Sequence, residues 1–256
     1  MGVPSERDIM SLFEIGKSNN SSTMSEIAQY FGIDSAAMMA TDLSDIDNIG
    51  LHLQVLRKTD RTNVSYIHGH IIHFALEQYM RTNPDLSEFN IFETGTARGF
   101  SSVIMAHTLN KNGKSGIINT FDIKHQDAKS EGDCLCAAMN SRKVSAMECL
   151  APFKDLVTKY IKFNVGDSNK ILKTRQSERI HFAFLDGDHR YSALLLELTY
   201  VDKYQESGDV IVVDDYSIDE LKRATDEFLE RGAYAFHVLR GKVGNKTRQY
   251  VHLVKK

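Results

Sequence analysis

The chain has 256 residues, of which 42% are hydrophobic and 25% are charged. This composition is ordinary for a soluble globular protein, the length allows one large α/β domain with an appendage, and a core of that size needs no disulfide staples. The formal net charge of −3 argues against nucleic acid as the main partner, because nucleic-acid-binding proteins usually carry excess positive charge. Three cysteines, Cys134, Cys136 and Cys149, suggest reduced thiols and a cytoplasmic location. We expect no signal peptide and no membrane span.

Residues 1–62 are predicted to form a helical extension. Thr23 and Glu26 give a capping-box pattern before "IAQYFG", and "DNIGLHLQVLRKT" continues with helical spacing. The stretch "SEIAQYFGIDSAAMMA" is similar to a helix-turn-helix, but its second helix lacks the Arg, Lys, Asn or Gln that reads bases. We therefore interpret this region as a helical cap or a dimerisation arm.

The next predicted helix covers residues 67–80 and ends before Pro84. It carries His68, His70 and His73, of which the last two share a face. We interpret all three as ordinary packing or surface histidines. The alternative is that His70 lines a ligand pocket.

Five apolar runs between residues 89 and 216 predict the strands of a parallel sheet: "FNIFETG", "GIINTFDI", the end of "DLVTKYIKFNVGD", "IHFAFLDGD" and "DVIVVDDY". Their continuous Val, Ile and Phe content indicates strands covered on both faces. Ser217 and Glu220 form a second capping-box pattern before the helix "IDELKRATDEFLERG". The alternating runs "AYAFHVLRG" and "RQYVHLVKK" predict an antiparallel pair at the end of the sheet. Segment 124–158 is interpreted as a crossover helix, with a lid or acceptor loop as the alternative.

Ligands of an open parallel sheet bind beyond the carboxyl ends of its strands. The first such exit is "ETGTARGFSS", where Gly95 permits a tight turn and Gly99 lets the following helix approach a ligand. The pattern differs from the Gly-x-Gly-x-x-Gly of dinucleotide folds. The carboxylate of Glu93 suits an amino group on a ligand, since a pyrophosphate there would be repelled.

The next exits also carry polar side chains. Asp122 lies where a carboxylate can accept ribose hydroxyls, although it could also be a capping or solvated residue. Asp167 and Ser168 could contact adenine or could cap the next helix, and the sequence favours neither. "DGDHRY" could be a simple turn before a helix, with Asp188 as a carboxylate at the helix start.

The stretches "FETGTARGFSS", "FDI", "GDS", "FLDGDH" and "IVVDD", in this order, resemble a class I S-adenosylmethionine-dependent methyltransferase over roughly residues 65–256. The resemblance implies an α/β, Rossmann-like fold with a seven-stranded, mostly parallel sheet and an antiparallel C-terminal strand pair. It also implies a methyltransferase domain over 63–256, after the extension. The implied cofactor contacts are Glu93, Gly95, Thr96, Gly99, Ser101, Asp122, Asp167, Ser168 and Asp186.

More narrowly, the chain resembles metal-dependent O-methyltransferases of the catechol and macrocin (sugar) types. Their Mg²⁺ or Mn²⁺ ligands match Asp186, Asp214 and Asp215 here. Such an ion lowers the pKa of an acceptor hydroxyl, and His189 can take the proton. With Asp186 as the second catalytic residue, the resemblance implies methyl transfer to a hydroxyl of a small molecule. Catechol-type relatives have lysine in place of His189, so the match leans toward the sugar-modifying type.

Other hypotheses stay open at this point. The acid cluster could serve a metal-independent methyltransferase acting on oxygen or nitrogen, or the chain could be a cofactor-binding module without catalysis. Related sugar enzymes form oligomers through such N-terminal extensions, which implies a homodimer. No nucleic acid or membrane partner is expected.

Overall fold

The structure is a computed structural model, and it describes residues 27, 29–31, 43–53, 66–129, 143–243 and 246–256. The predicted capping box at Thr23 and Glu26, and also Cys134 and Cys136, lie outside the described residues. The helices, in chain order, are α1 Ser44–Leu53, α2 Ile67–Thr82, α3 Phe100–Lys111, α4 Ala146–Leu150, α5 Lys154–Tyr160, α6 Ser168–Ile171, α7 Tyr191–Lys203 and α8 Asp219–Leu229. The strands are β1 Glu88–Thr94, β2 Ser115–Asp122, β3 Ile161–Val165, β4 Phe182–Leu185, β5 Val210–Val213, β6 Tyr234–Val243 and β7 Lys246–Lys255.

The seven strands form one sheet in the order β3-β2-β1-β4-β5-β7-β6. The first five are parallel, and β7 runs antiparallel to both β5 and β6. The predicted mostly parallel sheet with an antiparallel C-terminal pair is therefore confirmed. Strand order reverses between β1 and β4, which creates the crevice where open α/β sheets bind ligands.

Two apolar layers cover the sheet, and the central strands contribute to both. Along β4, Phe182 and Phe184 join the layer that includes α2 and α3, whereas Ala183 and Leu185 join the layer that includes α7 and α8. All four side chains are buried. Since both faces need apolar residues, the strands read as continuous runs rather than alternating ones.

Helix α2 ends at Thr82, before Pro84 as expected, and is buried along most of its length. His73 hydrogen-bonds to Thr108 at 2.8 Å, and His70 Nε2 lies 2.8 Å from an oxygen of Asp47 in α1. Both histidines therefore pack α2 against neighbouring helices. His70 is not among the residues that line the two cavities beyond the strand ends.

The start of α8 differs from the prediction. Ile218 is its N-cap residue, and no side chain caps the helix by a hydrogen bond, so the predicted capping box of Ser217 and Glu220 is wrong. The Glu220 carboxylate instead accepts the backbone N–H of Tyr191, at 3.2 Å. A contact at the start of the neighbouring helix α7 has replaced the local one.

The described part of the N-terminal region packs on the end of the sheet. Tyr30 hydrogen-bonds to His252 of β7 at 2.9 Å and stacks on His237 of β6, with ring centroids 4.0 Å apart. Ile27 and Phe31 are buried in the same core as α1 and α2. Among the described residues, no helix is long and apolar enough to cross a membrane.

Candidate active site

The ends of β4 and β5 bring the three predicted aspartates together. Asp186 follows β4, while Asp214 and Asp215 follow β5, and the two strands pair in register as far as Leu185 and Val213. Asp215 adopts a positive φ of 53°, a conformation that aspartate tolerates better than most residues and that is uncommon outside functional or turn positions.

Asp214 has close polar neighbours on both carboxylate oxygens. Oδ1 accepts the backbone N–H of Asp215 at 2.6 Å and Arg248 Nε at 2.8 Å, and Oδ2 accepts Arg248 Nη2 at 2.5 Å. His68 Nδ1 lies 2.9 Å from Oδ2, in an ion contact that lacks the alignment of a hydrogen bond. Burial would raise the pKa of Asp214, but Arg248 and His68 outweigh it and hold that pKa at about 2.

Asp186 and Asp215 are partly exposed and face His189. His189 Nε2 lies 3.6 Å from Asp186 Oδ1 and 3.7 Å from Asp215 Oδ2. Burial, followed by repulsion from Asp214, raises the pKa of both carboxyls. The Asp186 carboxylate in turn raises the pKa of His189. The structure thus brings all four predicted residues to one place.

The side chains at this site could hold one divalent cation, but the ligands differ from the three predicted aspartates. Three carboxylates and one guanidinium leave a charge of −2 if the imidazoles are neutral. Ligand atoms of Asp186, His189 and Asp215 all lie within 4.8 Å of one another, and oxygen ligands are those that Mg²⁺ prefers. Asp214 fits less well, because a carboxylate has about four lone-pair positions and four polar groups already surround it. The prediction of three aspartate ligands therefore overlooked Arg248, which pairs with one of the three.

A cavity of about 470 Å³ lies beyond the ends of β1, β2 and β3. Asp122 lines it and accepts the backbone N–H groups of Ala97 at 2.8 Å and Lys124 at 2.9 Å. Asp167 also lines it while capping α6 through the N–H of Asn169, at 3.0 Å. Asp167 therefore caps a helix, as one of the two predictions stated, and it also lines the cavity.

A smaller cavity of about 150 Å³ leads toward the aspartates. Predicted residues along its wall are Gly95, Thr96, Ser101 and Asp186. Glu93 does not line either cavity. It is fully buried, and the hydroxyls of Ser101 and Ser102 donate to its two oxygens. Burial raises its pKa, so Glu93 supports Ser101 instead of facing a ligand amino group.

Two glycines shape the turn after β1. At Gly95, φ is +87°, and an added Cβ would lie 2.0 Å from the carbonyl oxygen of Asp186. At Gly99, φ is +84°, and a Cβ would lie 2.9 Å from a methyl group of Leu150. Gly99 is therefore required for its backbone conformation and for packing on α4, not for close approach to a ligand as the sequence suggested.

Three further residues escaped the sequence analysis. His68 and Arg248 contact the cluster, but one was interpreted as a packing histidine and the other lies in a strand predicted only as structure. Glu197 is buried in α7 and accepts hydrogen bonds from Thr94 and Ser168, both at 2.9 Å. A glutamate within the apolar stretch "SALLLELTY" was the available signal for this third residue.

Glu197 should make stability fall with pH. Burial raises its pKa from 4.5 to about 7, so the folded state binds this proton more tightly than the unfolded state. The resulting stability is full below pH 4.5 and is lost as pH rises through about 7, by on the order of 3 kcal/mol. We expect E197Q to match wild type near pH 5 and to be more stable at pH 8, in urea unfolding. E178Q, at an exposed position, is the control. Equal pH dependence of E197Q and wild type would contradict the assignment.

Comparisons with known proteins agree with this fold. The family model described as a methyltransferase domain matches residues 92–216. The O-methyltransferase TomG from Streptomyces achromogenes, solved with SAM, aligns at 16% identity and a TM-score of 0.58, covering 94% of this chain and 98% of its own. The O-methyltransferase NovP aligns at 20% and 0.56, covering 75% and 81%. The O-methyltransferase from Bacillus cereus, solved with SAH, aligns at 16% and 0.53, covering 97% and 100%. No curated protein sequence matches the chain.

The sheet order, the crevice beyond its strands and these neighbours define the class I methyltransferase fold. Residues 92–216, which hold the first strand exit and the carboxylate cluster, form a methyltransferase domain. The chain therefore carries a methyltransferase domain within a class I methyltransferase fold.

Proposed function

We propose that the chain transfers a methyl group from S-adenosylmethionine to a hydroxyl oxygen of a small molecule, with a divalent ion such as Mg²⁺ or Mn²⁺ bound at the carboxylate cluster. The observation that best supports this proposal is that Asp186, Asp215 and His189 lie close together beyond the ends of β4 and β5. These strands are next to the point where the strand order reverses. Asp186 lines the smaller cavity, and the next residues, Gly187 and Asp188, line the larger one, whose volume lies in the usual range of small-molecule sites.

The cofactor is assigned to the two cavities beyond the parallel strands. Asp122 would accept the ribose hydroxyls, because its carboxylate lines the larger cavity and keeps lone pairs beyond its two backbone contacts. Ile123, with a relative exposure of 72%, offers an apolar surface to the base, beside Asp167 and Ser168. The amino-acid end would extend past Gly95 into the smaller cavity, toward Asp186.

When bound, S-adenosylmethionine supplies a methyl group on a positively charged sulfur. The acceptor oxygen bonds to the methyl carbon as the carbon–sulfur bond breaks, and the bonding pair stays on sulfur. His189 Nε2 takes the hydroxyl proton. The Asp186 and Asp215 carboxylates, 3.6 and 3.7 Å away, stabilise the resulting imidazolium.

The proposed ion would be held by Asp186 and Asp215. When bound, it supplies positive charge that lowers the pKa of the acceptor hydroxyl. Asp214 could join as the third ligand only by giving up contacts with Arg248. The residual charge of the cluster supports a cation here, and it opposes an anionic group on the acceptor. An uncharged acceptor, such as a sugar-containing natural product or a phenol, fits this charge.

The test is transfer of labelled methyl from S-adenosylmethionine to a panel of sugars, phenols and peptide-derived natural products. We expect label on a hydroxyl oxygen, loss of turnover in EDTA, and recovery with excess Mg²⁺ or Mn²⁺. Turnover that resists EDTA would favour the metal-independent O- or N-methyltransferase. Cofactor binding without transfer to any acceptor would favour the non-catalytic module.

We also propose that residues 1–62 form a helical cap or dimerisation arm and that the chain is a homodimer. The contacts of Tyr30 with His237 and His252 support docking of this region on the sheet end. A cytoplasmic location is proposed on the low cysteine content, three residues in 256.

A further inference from the structure

Arg248 occupies the centre of the cluster that the sequence assigned to a metal. Its guanidinium contacts Asp214 through two nitrogens, and its Nε also lies 3.0 Å from Asp215 Oδ1. Its Nη2 lies 3.9 Å from Asp186 Oδ2. One cationic side chain therefore faces all three carboxylates, which is the position that a shared metal ion would take.

A guanidinium and a three-carboxylate metal site exclude each other. A metal ion needs carboxylate oxygens at about 2.0–2.2 Å, and the oxygens of Asp214 are already taken by Arg248, His68 and a backbone N–H. The two-pronged contact with Arg248 is the strongest type of carboxylate pairing in proteins. Only the Asp186 and Asp215 oxygens that face His189 remain open.

We propose that Arg248 is a built-in cation that withholds Asp214 from the metal and so keeps the divalent-ion site weak. Removing the guanidinium would free Asp214 as a third carboxylate ligand and tighten the site. This inference rests on the ion proposed for Asp186 and Asp215. It makes Arg248 a positioning residue that sets metal affinity, a role that its place in the last strand did not predict.

The test is titration of the full chain with Mn²⁺, followed by the electron paramagnetic resonance signal of the free ion. We expect R248M to bind Mn²⁺ at least 10-fold more tightly than wild type, and R248M/D214N to lose that gain. R240M, at an exposed arginine of β6, should bind as wild type does. Equal affinity of R248M and wild type, no binding by either, or a gain that persists in R248M/D214N would each overturn the proposal.

Thermal melting tests whether R248M still folds, because this substitution leaves a buried carboxylate without its main partner. We expect R248M to melt below wild type in EDTA and to recover more than wild type when Mn²⁺ is added. R248K keeps a charge but cannot make the two-pronged contact, and should show an intermediate gain in Mn²⁺ affinity. Wild-type affinity in R248K and R248M together would count against the proposal. These readouts need no acceptor, so failure of methyl transfer is distinguishable from failure here.

Discussion

Replacing His189 with alanine is expected to slow methyl transfer at pH 7 by about 10²–10⁴-fold, the usual range for loss of a general base. The reason is geometric: the His189 ring lies at the open side of Asp186 and Asp215, with 46% of its side chain exposed to an incoming acceptor. The residual rate should rise with pH as solvent hydroxide replaces the missing base. Single-turnover kinetics under saturating cofactor would measure the effect.

Two readouts separate a base from a metal ligand at this position. For a base, H189A keeps the Mn²⁺ affinity of wild type, and added imidazole restores part of its rate. For a ligand, Mn²⁺ affinity falls and imidazole in solution gives no such recovery of the chemical step. H237A is the matched control, since His237 pairs with His252 on β7, four residues beyond Arg248. Full activity of H189A at pH 7 would remove His189 from the mechanism.

Replacing Asp122 with alanine is expected to weaken binding of S-adenosylhomocysteine by at least about 100-fold. Two ribose hydroxyls would lose a charged acceptor, and each such hydrogen bond contributes about 1.5–3 kcal/mol. The turn at Ala97 would also lose the carboxylate that holds its backbone N–H. Calorimetry measures the affinity, and circular dichroism checks that the fold is retained.

D127A provides the control for the Asp122 prediction. Asp127 is exposed, lies five residues further along the same segment, and pairs with His125 at 3.5 Å. We expect D127A to bind the cofactor product as wild type does. D122N, which keeps one acceptor oxygen, should fall between D122A and wild type. If D122A bound as tightly as wild type, the ribose site would have to lie elsewhere.

Sequence patterns predicted the strands of the sheet because burial on both faces leaves a visible pattern of apolar residues. Strands buried on both faces must be apolar throughout, so a strand such as Phe182–Leu185 can be recognised from the sequence without any tertiary information. The start of α8 was predicted wrongly because Ser217 and Glu220 satisfy a local spacing rule. The local rule was overridden by a neighbour, Tyr191, which is 29 residues away from Glu220.

Only the site residues that directly follow a strand of the parallel sheet could be predicted from the sequence. Asp186, Asp214 and Asp215 directly end two adjacent strands, so topology alone brings them together. His68 comes from a helix before the sheet, and Arg248 from the last strand, and neither belongs to a strand exit of the parallel sheet. The role of Glu93 was misjudged because only the packing of α3 shows that two hydroxyls, on Ser101 and Ser102, enclose it.

The turn at Gly95 packs directly against the segment that bears Asp186. A Cβ there would meet the Asp186 carbonyl oxygen at 2.0 Å, so the cofactor turn and the segment bearing Asp186 rest directly on each other. Neither can shift without moving the other. The relative placement of the two proposed sites, for the methyl donor and for the acceptor, is thus fixed when the chain folds, and the proposed transfer would need little reorganisation of its polar surroundings.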